Sequence, residues 1–289
     1  MIVMDTVCSC NKLFDEKTRH PLVSVINLAC PCSKDTIRVD CYAVILRQDL
    51  PDEPWHGRMG CDFSDSAVFF REPKKTIDIA CGCKHGQKGQ LLMFHPDLLC
   101  GTALGTRLAD YHFLSYQKAE ALHLSTAERK TLEQCFADIE HELEWGIDKY
   151  SARLIVNKIE MLLNYCCRYY HRQFITRHDV YAEQIESIGR RVDDELLAGN
   201  VCRDGLPRIA AYAARAGMSE PYFNDMLRKL TGKDFDRFVQ FRRIAIAKQM
   251  IIAHRQTDAS VAAALGFCST QCFQEAFKKI TGVGTEEYR

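Results

Sequence analysis

The sequence predicts an α+β chain: an antiparallel β-sandwich or small barrel with helices behind it, followed by an all-α C-terminal domain. Three observations lead there. Short alternating or continuous apolar runs, separated by Gly, Pro and Asp, occupy about 20–96. Apolar residues at helical spacing fill about 97–175. The last hundred residues then repeat one helical pattern at an offset of 50. A length of 289 residues, 47% apolar and 26% charged, suits two globular domains with a core each, placed at 1–176 and 177–289.

In chain order, the strand candidates are PLVSVINL, TIRVDCYAVIL, SAVFF, TIDIAC and GQLLMF. STAERKTLEQCFADIEHELEWG opens with a capping box, Ser125 and Glu128, and carries Leu132, Phe136, Ile139 and Leu143 on one side. DKYSARLIVNKIEMLLNYCCRYYHRQF presents Leu154, Ile155, Ile159, Leu162, Leu163 and Cys166 over an arc too wide for one contact. A polar helix near Val180 to Leu197 then enters the C-terminal domain, without the Gly/Pro/Ser bias of a flexible linker.

Fifteen cysteines without a secretory signal imply reduced thiols. The N-terminus MIVMDTVCSCNKLFDEK has no signal-peptide core, and no apolar run reaches the roughly 20 residues of a membrane helix, so the expectation is a cytoplasmic protein with no membrane partner. Net charge is zero, yet 16 Lys+Arg face 12 Asp+Glu from Arg190 onward, against 22 and 26 before it. That excess is compatible with nucleic acid and does not alone establish it.

Within the repeat, Phe223, Met226, Leu227 and Leu230 form one buried helical stripe, and Phe273, Ala276, Phe277 and Ile280 repeat it. Ser219 and Ser269 suit the two N-caps; Thr231-Gly232 and Thr281-Gly282 suit the two ends. Each helix follows a shorter one and a glycine: Ile209, Ala213 and Ala216 before Gly217, and Val261, Ala262 and Leu265 before Gly266. Small alanines allow close crossing and glycine the sharp turn, so about 206–232 and 257–282 are two helix-turn-helix units. A helix from about Phe235 to Ala253, capped by Asp234, would be ~28 Å long and set the second helices one DNA turn (~34 Å) apart.

These residues resemble the DNA-binding domain of AraC/XylS-type transcription regulators. The matching positions are Arg243, Ala247 and Met250-Ile251, LGF at 265–267, Phe273, FKK at 277–279, Gly282 and Tyr288-Arg289. Asp258, Ser260 and Thr285 depart from the pattern, which has an apolar residue, an acid and a proline there. The resemblance implies double-stranded DNA and RNA polymerase as partners, a homodimer formed through helices carrying Leu154, Ile155, Ile159, Leu162 and Leu163, and a jelly-roll or cupin-like sensor domain that binds a small-molecule effector. LMFHPDLLCGTALGTRL looks like the sensor-domain exit of regulators common among Bacteroidetes. Base-reading positions, by resemblance, are Pro221, Asn224 and Asp225, then Gln271 and Glu275. Ser269, Thr270 and Gln274 lie on the same exposed side, and Arg228, Lys229, Lys278 and Lys279 suit phosphates. Asp225 and Glu275 either read cytosine or turn away as paired acids.

No cofactor or catalytic residue is expected. His56, His85 and His95 are isolated, without the His-x-His of a metal-dependent barrel enzyme. Cys268 and Cys272 lack further ligands for zinc. Cys8-Ser-Cys10, Cys30-Pro-Cys32 and Cys81-Gly-Cys83 leave a metal- or thiol-responsive regulator as the alternative to an effector held inside the barrel by Tyr42, Trp55, His56 or Phe63; a purely dimerising domain is a third reading. In a strand, such i, i+2 cysteines share a face.

Overall fold

The computed structural model describes residues 2–4, 6–28, 36–48, 57–78, 88–198, 201, 205–254 and 256–288. Cys30, Cys32, Trp55, His56, Cys81, Cys83 and His85 lie outside the described residues. The chain divides into two compact units, Met1–Arg177 and His178–Arg289. No helix among the described residues is long and apolar enough to cross a membrane.

The first unit begins β1 (Ile2–Met4), α1 (Val7–Leu13), β2 (Val23–Asn27), β3 (Thr36–Val39) and β4 (Tyr42–Gln48). It continues β5 (Ser66–Arg71), β6 (Thr76–Asp78), β7 (Gly89–Phe94), α2 (Ala103–Arg107), β8 (Leu122–Leu124), α3 (Thr126–Glu144) and α4 (Ser151–Thr176). Each expected apolar run contains a strand. One sheet has the order β2-β7-β4-β5-β8, antiparallel throughout; the other is β1-β3-β6. The expectation of wholly antiparallel pairing fails at β1 and β3, which run parallel with Ile2 opposite Ile37. A parallel pair needs a long crossover, supplied here by α1 and β2.

Burial explains why β4 and β5 read as continuous apolar runs instead of alternating ones. Ala43, Ile45, Ala67, Phe69, Leu91 and Met93 face a core shared with Val7 and Cys10 of α1, Ile37 and Val39 of β3 and Ile77 of β6. These side chains form one apolar cluster between the two sheets. Val44, Leu46, Val68, Phe70 and Leu92 are buried on the opposite face, which α3 and α4 cover. Tyr42 stacks on Phe94 and lines an open surface cleft; Phe63 is exposed beneath the Arg172 guanidinium.

The Cys8–Cys10 pair corrects the strand reading. Thr6 caps α1 by accepting from the Ser9 N–H, so both cysteines are helical. Residues two apart on a helix point away from each other: Cys10 is fully buried and Cys8 half-buried.

The capping box of α3 forms as expected, with Ser125 and Glu128 exchanging hydrogen bonds of 2.9 and 3.3 Å, and Leu132, Phe136, Ile139 and Leu143 are buried. On α4 the assignment to a dimer surface needs correction. Ile155, Ile159, Leu162 and Leu163 are at most 1% exposed within the single chain, so a second copy cannot touch them; Leu154 is 44% exposed. The same helix finishes the edge strand β8. Gln173 accepts from the His123 N–H and donates to the Ala121 carbonyl, standing in for a further strand. At its C-terminus, Arg177 makes a two-pronged ion pair with Asp62, both side chains at most 2% exposed, and also donates to the Gly57 carbonyl.

The second unit comprises α5 (His178–Leu197), α6 (Ile209–Arg215), α7 (Glu220–Thr231), α8 (Phe235–His254), α9 (Asp258–Ala264), α10 (Thr270–Thr281) and α11 (Thr285–Tyr288). The helix foreseen near 180–197 is α5. Three polar ties hold it to its unit: Tyr181 to Tyr222 at 2.6 Å, Tyr212 donating to Glu195 at 2.7 Å, and the Asp193–Arg242 ion pair. Burial, then the Glu195 carboxylate, pushes the Tyr212 hydroxyl pKa up, so Tyr212 stays a donor.

Candidate nucleic-acid interface

The repeat seen in the sequence is a repeat of hydrogen bonds. Ser219 accepts from the Tyr222 N–H at 3.3 Å, and Ser269 from the Cys272 N–H at 3.1 Å. Thr231 donates to the Leu227 carbonyl and Thr281 to the Phe277 carbonyl, closing the last turn of each helix alike. The Met218 and Phe267 N–H groups reach back to the Ala213 and Ala262 carbonyls across the glycine turns. Gly266 has φ of +69°, and a β-carbon there would lie 2.4 Å from Val201 Cγ1, so both backbone and space demand glycine. Two units of one geometry, α6–α7 and α9–α10, thus flank α8. Asp234 caps α8 by accepting from the Arg237 N–H.

Arg243 locks the second unit to α8. Its guanidinium, 3% exposed, donates twice to the Leu265 carbonyl at 3.0 and 2.8 Å and once to Gln240, and lies 3.6 Å from the Phe267 ring centroid. Burial lowers its pKa to about 10, which still leaves it charged at neutral pH. Arg243 was legible only as a matched position; its partner is 22 residues away and a backbone oxygen, for which a sequence has no symbol.

The candidate base-reading residues divide by what already holds them. Asn224 is half-buried, and its amide oxygen accepts from the Phe235 N–H at 2.9 Å, the first residue of α8. That bond ties the middle of α7 to the start of α8 and leaves the Asn224 oxygen one further lone pair. Pro221 sits in the first turn of α7, half-buried like Asp225. On α10, Gln271 donates to Glu275 at 3.0 Å, so these two exposed side chains form one unit on the surface. Gln274 donates to Asp258 at 2.7 Å, while Ser269 is committed to its cap and Thr270 is half-buried. Lys229, Lys278 and Lys279 are exposed, and Arg228 is 4.0 Å from Asp234. The arrangement presents amide and carboxylate groups at the front of α10, with ammonium groups in the last turns of α7 and α10.

Sequence reasoning treated Asp258 and Thr285 only as departures from a pattern. Thr285, 4% exposed, donates to the Asp258 carboxylate at 2.5 Å, so the two unusual residues are partners.

The family model described as a helix-turn-helix domain matches residues 212–289. A search of curated proteins found no match. Among solved structures, the C-terminal domain of the two-component response regulator yesN from Fusobacterium nucleatum is similar at 18% identity and a TM-score of 0.30, covering 37% of this chain and 98% of that one. The C-terminal domain of AraT, a response regulator from Geobacillus stearothermophilus, is 22% identical with a TM-score of 0.29, over 35% of this chain and 83% of that one. ToxT from Vibrio cholerae O395 is 12% identical with a TM-score of 0.32, over 92% of this chain and 95% of that one. The matched segment, which carries the repeated hydrogen-bond pattern of the two units, is a helix-turn-helix domain.

Proposed function

We propose that the chain is a cytoplasmic, homodimeric regulator that reads adjacent major-groove segments of double-stranded DNA with α7 and α10, engages RNA polymerase, and answers to a small-molecule effector through a cupin-like, jelly-roll N-terminal unit. The observation that carries this reading is the repeated helix-turn-helix geometry on either side of α8. With 20 residues, α8 is ~30 Å long, close to the ~34 Å of one DNA turn. An effector acts here only by binding two arrangements of the dimer with different affinity.

The roles on α10 are testable by substitution. Gln271→Ala should weaken specific binding about tenfold and leave random-sequence binding unchanged. Lys279→Ala should weaken both and reduce the salt slope by about one. Equal losses on specific and random DNA from both variants would contradict the assignment.

For the dimer, the supporting feature is a different face of α4. Tyr150, Leu154 and Met161 are exposed and fall within about 40° of one another around the helix, with Trp145 and Ile147 exposed in the preceding loop. Leu154→Glu should shift the sedimenting species from dimer to monomer; an unchanged dimer would place the interface elsewhere.

A further inference from the structure

Cys268 and Cys272 are both exposed, free thiols, and Cys268 donates to Cys272 at an Sγ–Sγ distance of 2.8 Å. Cys268 lies in the turn one residue before the cap Ser269, and Cys272 is the third residue of α10, with Gln271 between them. A helical side chain leans toward its own N-terminus, which brings Cys272 back over the turn. The described residues contain no group of three His, Cys, Asp or Glu able to hold a metal, so this pair lacks the ligands of a zinc site.

We propose that Cys268 and Cys272 are an oxidation site at the DNA-reading end of α10, closed to a disulfide by peroxide and reopened by a dithiol reductant, and that closure weakens specific DNA binding. The inference rests on the reading of α10 as a recognition helix. Cys272 is the attacking sulfur. The Cys268 thiol, then the Ser269 hydroxyl, hydrogen-bond to it and lower its pKa, favouring thiolate at an exposed position. The thiolate attacks one peroxide oxygen, the O–O bond breaks, and the products are a sulfenic acid on Cys272 and hydroxide. Cys268 gives its proton to that hydroxide, attacks the Cys272 sulfur and expels the sulfenic hydroxyl, which leaves as water on taking a proton from solvent. In sum, two thiols and one peroxide become one disulfide and two waters, and two electrons pass from sulfur to oxygen.

The contact at 2.8 Å must shorten to about 2.05 Å. That draws the turn against the first turn of α10, where Ser269 caps the Cys272 N–H and Gln271 meets Glu275. DNA lying over Gln271 also covers the two sulfurs, so bound DNA and oxidation oppose each other, as linkage requires.

The test uses the full-length protein, hydrogen peroxide, and a DNA sequence selected by the reduced protein. Tryptic peptide 256–278 contains Cys268 and Cys272 and no other cysteine, so its mass reports this disulfide alone among fifteen cysteines. The expected result is a peptide lighter by a pair of hydrogens, slower to form with specific DNA present, and a loss of specific affinity of about tenfold. Dithiothreitol should restore that affinity, and Cys268→Ser should abolish the loss. A peptide of unchanged mass, a disulfide without effect on specific affinity, or the same loss in Cys268→Ser would each overturn the inference while leaving the reduced protein's DNA reading intact. Failure of the reduced protein to select any sequence would overturn the parent reading, and the inference with it.

Discussion

At Asp258 and Thr285 the chain replaces an apolar residue and a proline by two polar groups, and each is the other's answer. The Asp258 carboxylate accepts from buried Thr285 and from Gln274, so neither polar group is stranded by the loss of the apolar pattern. Asp258→Ala and Thr285→Val should each cost about 1–3 kcal/mol, and the double variant clearly less than their sum, measured by thermal or denaturant unfolding. Additive losses would mean that the two residues act independently. Local grammar was readable at this scale: Ser219, Ser269, Gly232 and Gly282 stand where caps and left-handed turns require them, because cap and helix adjoin in sequence. Partnerships were not. The bond from Phe235 to Asn224 left no mark because it is made across 11 residues, from a backbone N–H that every residue but proline carries.

Elements were legible wherever burial leaves a periodic trace. The two-sided burial of β4 and β5 showed as unbroken apolar runs, and the single buried side of α3 as a stripe opened by a capping box. The stripe on α4 was equally visible, but periodicity reports that residues are buried, not by what; four of the five residues assigned to a second copy pack inside their own unit. Short β1 pairs through its backbone and leaves no such trace. Nor does the Arg177–Asp62 pair, 115 residues apart, which anchors the end of α4. Removing one partner strands the other charge in a dry site, so Arg177→Ala should destabilise the first unit by about 3–5 kcal/mol, read from denaturant unfolding. A loss below about 1 kcal/mol, the scale of a surface ion pair, would contradict the buried-pair account.

Over the whole chain, the C-terminal unit was the more legible because its sequence says the same thing twice. A pattern repeated at an offset of 50 identifies caps, turns and stripes that any single copy would leave ambiguous, and the repeat persists in the hydrogen bonds. The N-terminal unit has no such duplication; its two-sheet pairing depends on contacts between distant strands. The central claim is that both helix-turn-helix units read sequence. The most direct measurement is selection of bound DNA from a random pool by the full-length, reduced protein across a salt series. The account predicts a motif of two elements about one helical turn apart, enriched at every salt, with total affinity falling as salt rises; its occurrence in promoters would then point to the regulated genes and the chemistry of the effector. Recovery of only salt-sensitive binding with no enriched motif would contradict it.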